Sequence, residues 1–526
     1  MDWSAPGGNK LQGFKINHCA GNAASKNPDE PGCFLGRRNE FLRGLLFLIV
    51  MLFPMLPVWK SGRCISRGNR SHIAALKAFT KAATKNDALT RTSGLMDSSA
   101  VKFVLIALCS FFSATLLLPA QEKPLQNSAA PFLERETLTG EWYTKRPEML
   151  DTGVEFFANY TAEVWGNTAG GLKTGSVYTG LLNLGSELDL EKLVGGHGAS
   201  AGTTWLWLSG QDASQNLVGN FLTISNIAGF NTFRMIEAWI EQDLFDGKLS
   251  LRAGQITADS EFLISDYSGL FINAEFGWSP LMGMNIPNGA SAFPVGGPGA
   301  RVAFTPLESF TFLSAVYQGN VFAQNVNRHG FRWRLDAQNG FTWMNEAQFY
   351  WGKDDESKVQ PGFAKVGAWF QSGQYADALS DSTSSGNSGF YFVFDQMLFR
   401  ENAKCDAKCD QGLGFFGRTG FTPPDRNVID FFFDMGLTYK GLIPGRNEDS
   451  LGLAYGFAAL SPDARDSIGA SGGDGAVSEM VLEATYQCVL TPWCILQPDA
   501  QLIVNPGGDN SIPNAFVIGA RLAIIF

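Results

Sequence analysis

The chain has 526 residues, with 40 Lys and Arg against 50 Asp and Glu, 59 glycines and 13% aromatic residues. An acidic balance of this size speaks against a protein built to bind nucleic-acid phosphates. Four histidines and glycine pairs that lack a phosphate-loop context leave little material for a His-based hydrolase or a nucleotide enzyme.

The charge is unevenly spread. The first 95 residues hold 14 Lys and Arg against 5 Asp and Glu, which leaves 26 against 45 in the rest, a net of −19. Phe41 to Trp59 is an apolar run broken by Arg43, Pro54 and Pro57, and one reading of it is an inner-membrane anchor. Met96 then opens a secretory signal pattern. Lys102 is its positive start, Phe103 to Leu118 its apolar stretch, and Leu118-Pro119-Ala120 its small-residue cleavage site. The apolar stretch is too short to span a membrane as a helix. Because such signals act at an N-terminus, residues 1–95 are expected to be an over-extended leader and 96–120 a signal peptide. Residues 121–150 are then a polar periplasmic lead-in, and 151–526 the folded body.

From Asp151 the chain reads as strands and turns. Val154, Phe156, Ala158, Tyr160, Ala162 and Val164 alternate with Glu155, Phe157, Asn159, Thr161 and Glu163. Alternate side chains of a strand lie on opposite faces. Similar alternation recurs in Phe233 to Gln242, Leu249 to Gln255, Phe331 to Asp336, Phe341 to Tyr350, Ala364 to Phe370, Val477 to Tyr486 and Phe516 to Phe526. Runs of about ten residues suit tilted strands crossing a bilayer, and the body offers no stretch of about 18 apolar residues for a spanning helix. Stretches 195–202, 287–299, 380–389 and 463–475 are rich in Gly, Pro, Ser and Asp and read as loops. The last run turns Phe516, Ile518, Ala520, Leu522, Ile524 and Phe526 to one face. A soluble sandwich would turn that face to a core and a membrane barrel to lipid, and alternation alone leaves both open. Strands that cross a membrane have to close into a barrel, because open edges in lipid leave backbone groups unpaired.

The final blocks tip this balance. Tyr486-Gln487, Leu490-Thr491-Pro492-Trp493, Leu496-Gln497-Pro498-Asp499, Gln501 and Asn505-Pro506-Gly507-Gly508 resemble the C-terminal signature of the carbohydrate-selective porins, the OprB family. Leu138 to Trp142, Lys365 to Trp369, Tyr391 to Arg400, Asp425-Arg426-Asn427 and Tyr439 to Gly445 resemble further blocks, so the likeness runs from Leu138 to Phe526. It implies an all-β fold: a transmembrane antiparallel β-barrel of about sixteen strands in the outer membrane of a Gram-negative-type bacterium. The implied function is passive diffusion of mono- or small saccharides through a water-filled lumen, with no catalysis and no cofactor. The implied partners are small neutral sugars, outer-membrane lipid, and outer-membrane assembly machinery that reads the C-terminal Phe526. The assembled form would be a monomer or a homotrimer.

The competing readings are a general diffusion porin with little sugar preference, a plugged structural barrel, and an outer-membrane enzyme. For the last, only His197 and His329 remain after residue 95, and neither sits in a nucleophile motif. Glu237 and Glu241 on one strand would stand roughly 13 Å apart at ~3.3 Å per residue. Glycosidase carboxyl pairs lie within about 5 to 9.5 Å.

A channel for sugars needs charged or amide groups for the hydroxyls, aromatic faces for the ring C–H surface, and weak enough binding to release. Parity selects the wall groups. Glu237, Trp239 and Glu241 face inward if Ile236, Ala238 and Ile240 face lipid. Arg252 faces inward from its run, and Arg332, Arg334 and Asp336 from theirs. Glu155, Glu163, Arg301, Glu346, Glu479, Glu483 and Arg521 follow the same rule, and most are expected to be solvated wall charges paired with one another. The resemblance implies a constriction containing arginine, for which Arg252, Arg332 and Arg334 are the candidates, with Glu237 and Trp239 nearby.

Four cysteines follow the signal. Cys405 and Cys409 sit in a charged stretch, and Cys488 and Cys494 flank the hairpin tip Val489 to Trp493. Two local disulfides are expected in an oxidising compartment. Zinc is the competing reading, and the spacing does not match paired C-x2-C sites.

Overall fold

The computed structural model describes residues 130–333, 335, 339–352, 359–376, 383–401 and 411–526. The leader, the signal segment, Arg334, Asp336, Cys405 and Cys409 lie outside the described residues. Among the described residues, sixteen antiparallel strands pair in sequence order and close on themselves, β1 with β16. They are β1 Val154–Ala169, β2 Gly175–Asp189, β3 Ala199–Gly210, β4 Thr232–Leu244, β5 Leu249–Ile256, β6 Gly297–Leu307, β7 Phe310–Gln318 and β8 Phe341–Trp351. There follow β9 Gly362–Ala376, β10 Thr383–Arg400, β11 Gly412–Phe421, β12 Ile429–Lys440, β13 Ser450–Leu460, β14 Ser478–Thr491, β15 Cys494–Val504 and β16 Ala515–Ile525. The closed ring leaves no unpaired edge for lipid to strand.

One end of the barrel carries the C-terminus and short turns, such as Phe245 to Lys248, Glu308-Ser309 and Pro492-Trp493. Residues 130–152, including the helix Lys145–Thr152, cap this end. Leu138 N–H donates to the Ile525 carbonyl at 2.7 Å, and Arg146 donates to the Phe526 carbonyl at 2.9 Å. The other end carries the long connections 211–231, 257–296 and 319–340. Short turns mark the periplasmic side of such barrels and long loops the outside.

The strand β13 shows why the alternation holds. Leu451 and Leu453 are exposed to the bilayer side, while Gly452, Ala454, Gly456 and Ala458 are buried on the inner face. The inner residues are small because a loop packs on them. A Cβ on Gly452 would come within 2.8 Å of Leu270 and Phe271, and one on Gly456 within 2.9 Å of Glu275. Those three partners belong to segment 257–296, which leaves β5 and folds into the lumen. Much of the buried apolar core is this loop against the wall: Phe262, Leu263, Phe271, Ile272, Phe276 and Leu281 pack with wall residues that include Phe416, Phe432 and Val481.

The expected strand from Phe331 to Asp336 is not one. Phe331, Arg332 and Trp333 are irregular and exposed. The cause lies two strands away. Because β5 turns inward at Ile256, it pairs with β4 only as far as Ala238 and leaves the upper edge of β4 open. Segment 327–333 closes that gap. Met235 N–H donates to the His329 carbonyl at 3.1 Å, Thr232 donates to the Arg328 carbonyl at 2.8 Å, and Gln255 donates to the Met235 and Ile236 carbonyls at 3.0 Å. Gly330 makes the approach with a positive φ; a Cβ there would lie 1.9 Å from the Met235 carbonyl oxygen. The same stretch of β4 has a bulge opposite Thr204 and Trp205. The bulge reverses the expected parity, so Phe233 lies outside against Trp205 and Arg234 is fully buried. The 199–202, 297–299 and 383–389 parts of the expected loops are strand, and 463–470 is helix.

Candidate pore constriction

Register builds the central cluster. Glu241 on β4 lies opposite Arg252 on β5, and Arg252 opposite Arg301 on β6. All three side chains point into the lumen in one row. Two arginines side by side would repel, and carboxylates bind them from both ends. Arg252 contacts Glu241 at 2.5 Å and Glu261 at 3.2 Å. Arg301 contacts Glu241 at 2.9 Å and Glu261 at 2.7 Å. Glu261 comes from the in-folded loop, so the cluster also ties that loop to the wall. Ser250 donates to Glu241 and accepts from Arg301 at 2.8 Å. The four charges cancel. Arg252 is the most accessible of them, with 22% of its side chain exposed against 6% for Arg301.

Trp239 supports this cluster in a way that parity did not reveal. Its ring lies against Gly202, where a Cβ would come within 2.5 Å of it, and the Arg252 guanidinium sits over it at 4.3 Å. The ring therefore orients the arginine; it is not a bare stacking platform. Glu237 faces inward but serves the loop. It accepts from the N–H and the hydroxyl of Thr257 at 3.0 and 2.9 Å, at the point where the loop leaves the wall. Arg332 is exposed in the segment that covers the open edge of β4, and among the described residues it makes no contact with the constriction cluster.

Of the other inward charges Glu155 stays exposed and Arg521 pairs with Glu163 as expected, but the remaining carboxylates are not solvated wall groups. Glu163, Glu346, Glu479 and Glu483 are fully buried, and all but Glu163 accept backbone N–H groups of in-folded loops. Glu346 accepts from Leu263 N–H at 2.9 Å. Glu483 accepts from Ile272 and Asn273 at 2.6 and 2.9 Å. Glu479 accepts from Leu222 at 2.7 Å in the connection between β3 and β4. Arg521 pairs with Glu163 at 2.5 Å and reaches Asn226 in the same connection. Cations hold the carbonyls: Lys365 donates to Ile264 at 2.7 Å, and Arg418 to Glu275 and Gly277 at 2.6 and 2.8 Å. The loop face packed against the wall is out of reach of water, and these wall side chains satisfy its backbone groups instead.

Parity missed Glu261, which sits in a segment without periodicity, and Arg234, whose face the bulge reversed. Arg418 shares its face with Phe416 and Gly414, apolar or small neighbours in a short glycine-rich run that gives little signal. Two loop carboxyls are held above their usual range. Burial pushes Asp259 to about 6 where it accepts from Phe293 N–H at 2.7 Å. Glu275 is raised well above the ordinary value, by burial first and then by Asp434, and neither of its oxygens has a partner among the described residues.

The cysteine expectation also changes. Cys488 and Cys494 are free thiols, and the register sets Leu496, not Cys494, opposite Cys488. Arg446 donates to the Cys488 sulfur at 2.9 Å.

Residues 173–526 match the model of the carbohydrate-selective porins, OprB family. The chain belongs to that family. Porin B of Pseudomonas aeruginosa is 24% identical over 428 residues, which cover 74% of this chain and 91% of that protein. The putative porin QuiX of Acinetobacter baylyi is 23% identical over 433 residues, 75% of this chain and 94% of that protein. The high-pH structure of Pseudomonas putida OprB aligns with a TM-score of 0.67 at 24% identity, over 75% of this chain and all of that one. This porin is an outer-membrane β-barrel that passes sugars by passive diffusion and is not an enzyme. Its lumen keeps a cavity of about 370 Å³ beneath the loop tip, lined among others by Asp266, Tyr267, Arg400, Lys440 and Gln487.

Proposed function

We propose that the Glu241–Arg252–Arg301–Glu261 row is the station at which this porin selects sugars. The observation that carries the reading is a charge-balanced row in which the Arg252 side chain stays partly open to the lumen while being fixed from three sides. A balanced row concentrates neither anions nor cations strongly, and its fixed N–H and carboxylate groups exchange hydrogen bonds with hydroxyls one at a time. The preferred substrate is a small neutral saccharide. Tyr267, in the wall of the cavity below, supplies the aromatic face that Trp239 does not offer.

The C-terminal Phe526 is the element we assign to recognition by the assembly machinery. Residues 96–120 are assigned as the export signal, and residues 1–95 as no part of the mature porin.

Arg252→Ala in planar bilayers tests the selection site. The expected result is an open channel whose current is no longer reduced by added sugar. Sugar block equal to that of the wild type would remove Arg252 from the site.

A further inference from the structure

The connection between β7 and β8 carries a surface that the sugar path does not use. Segment 327–333 fills the gap in the wall from the outside. Phe331 lies 5.9 Å from Trp205, which is itself stacked on Phe233 at 5.5 Å, and Trp333 donates to Gln255 at 2.7 Å. Phe331, Trp333 and Leu335 are more than half exposed. Arg328, His329 and Arg332 are exposed beside them. Arg328 lies over the Phe230 ring at 5.0 Å. Asn327 holds the backbone of Arg332 on both sides, accepting from its N–H at 3.0 Å and donating to its carbonyl at 3.1 Å. No Asp or Glu occurs from Asn320 to Leu335, in a chain of formal charge −10. Among the described residues neither arginine forms an ion pair.

This surface lies at the long-loop end, where a barrel meets the outer leaflet. Aromatic side chains gather at that depth, half in hydrocarbon and half in the headgroup layer. Arginines placed next to them match phosphate oxygens. We propose that the strap 327–333, together with Leu335, binds the phosphorylated headgroup of an outer-leaflet glycolipid. Arg328 and Arg332 take the phosphates, and Phe331, Trp333 and Leu335 lie among the upper acyl carbons. The bound lipid would then brace the strap that closes the edge of β4.

The test uses the full-length porin in detergent, with purified lipopolysaccharide and the same lipid after dephosphorylation as probes. Bound lipid is read by native mass spectrometry, and folding by heat-modifiable mobility. The wild type is expected to retain the phosphorylated lipid. The double variant Arg328→Ala/Arg332→Ala is expected to bind it about thirtyfold more weakly, the equivalent of roughly 1 kcal/mol per basic residue. Arg328→Lys/Arg332→Lys should keep most of the binding, and Lys173→Ala, at an exposed site on another loop, should keep all of it. Equal binding by the alanine variant, or equal binding of the dephosphorylated lipid, would overturn the proposal. A lipid-independent drop to a smaller oligomer in the alanine variant would overturn it too, and would make the surface a subunit interface.

Discussion

Arg418 and Asp434 face each other across β11 and β12, 2.6 Å apart and sealed from water, and the arginine's other N–H groups hold loop carbonyls. The pair thus acts as a peg between the wall and the loop that narrows the lumen. Removing one member of a buried pair typically costs about 3–5 kcal/mol, because the other charge is left buried alone. Arg418→Ala is expected to lower the thermal unfolding midpoint and to raise single-channel conductance as the loop loosens. A wild-type conductance in a folded Arg418→Ala channel would show that the loop needs no such peg.

The bidentate role of Glu483 gives a graded test. Its two oxygens accept the N–H groups of Ile272 and Asn273. Glu483→Gln keeps one good acceptor and Glu483→Ala keeps none, which leaves two buried N–H groups at about 1–3 kcal/mol each. Unfolding midpoints are expected to fall in the order wild type, Gln, Ala. An alanine variant as stable as the wild type would contradict the assignment.

Gly202→Ala alters the selection row without touching a charge. Its Cβ would press on the Trp239 ring, which then shifts beneath Arg252. The expected outcome is a folded channel with severalfold weaker sugar block, measured by current reduction in planar bilayers. Full block in Gly202→Ala would mean that Trp239 does not position the arginine.

Much of the barrel was legible in the sequence and the loop was not. β1, β8, β9, β14 and β16 read as strands because their outer faces are mostly apolar, while Glu163, Glu346, Lys365, Glu483 and Arg521 mark the inner ones. β13 is harder to read, since Gly452, Ala454 and Gly456 are small for the sake of Leu270, Phe271 and Glu275, residues distant in the chain. Segment 257–296 has no period to detect, because wall side chains rather than a ladder satisfy its backbone. Parity did find Glu241, Arg252 and Arg301 one by one; only register shows that they form a row. Arg332 was misplaced because three alternating pairs of residues look like a strand whether or not a neighbour exists to pair with them.

Asp259 gives the loop a pH dependence. Its carboxyl titrates near 6 in the folded channel against an ordinary value near 4, so the protonated form is the one folding favours. Its contribution is complete below pH ~4 and is lost as pH rises through about 6. Since it links the two ends of the loop through Phe293, loop stability should decline over that window. Asp259→Asn is expected to flatten the change. Unfolding midpoints taken from pH 4 to 7 check this, and an identical slope in the variant would contradict it.

The central claim is that the charge-balanced row and the in-folded loop make this pore selective for sugars. Liposome swelling with hexoses beside amino acids of equal size tests it most directly, on the wild type and on Arg252→Ala. The account predicts faster swelling with sugars in the wild type and a lost preference in the variant. Equal rates for both solute classes in the wild type would contradict it.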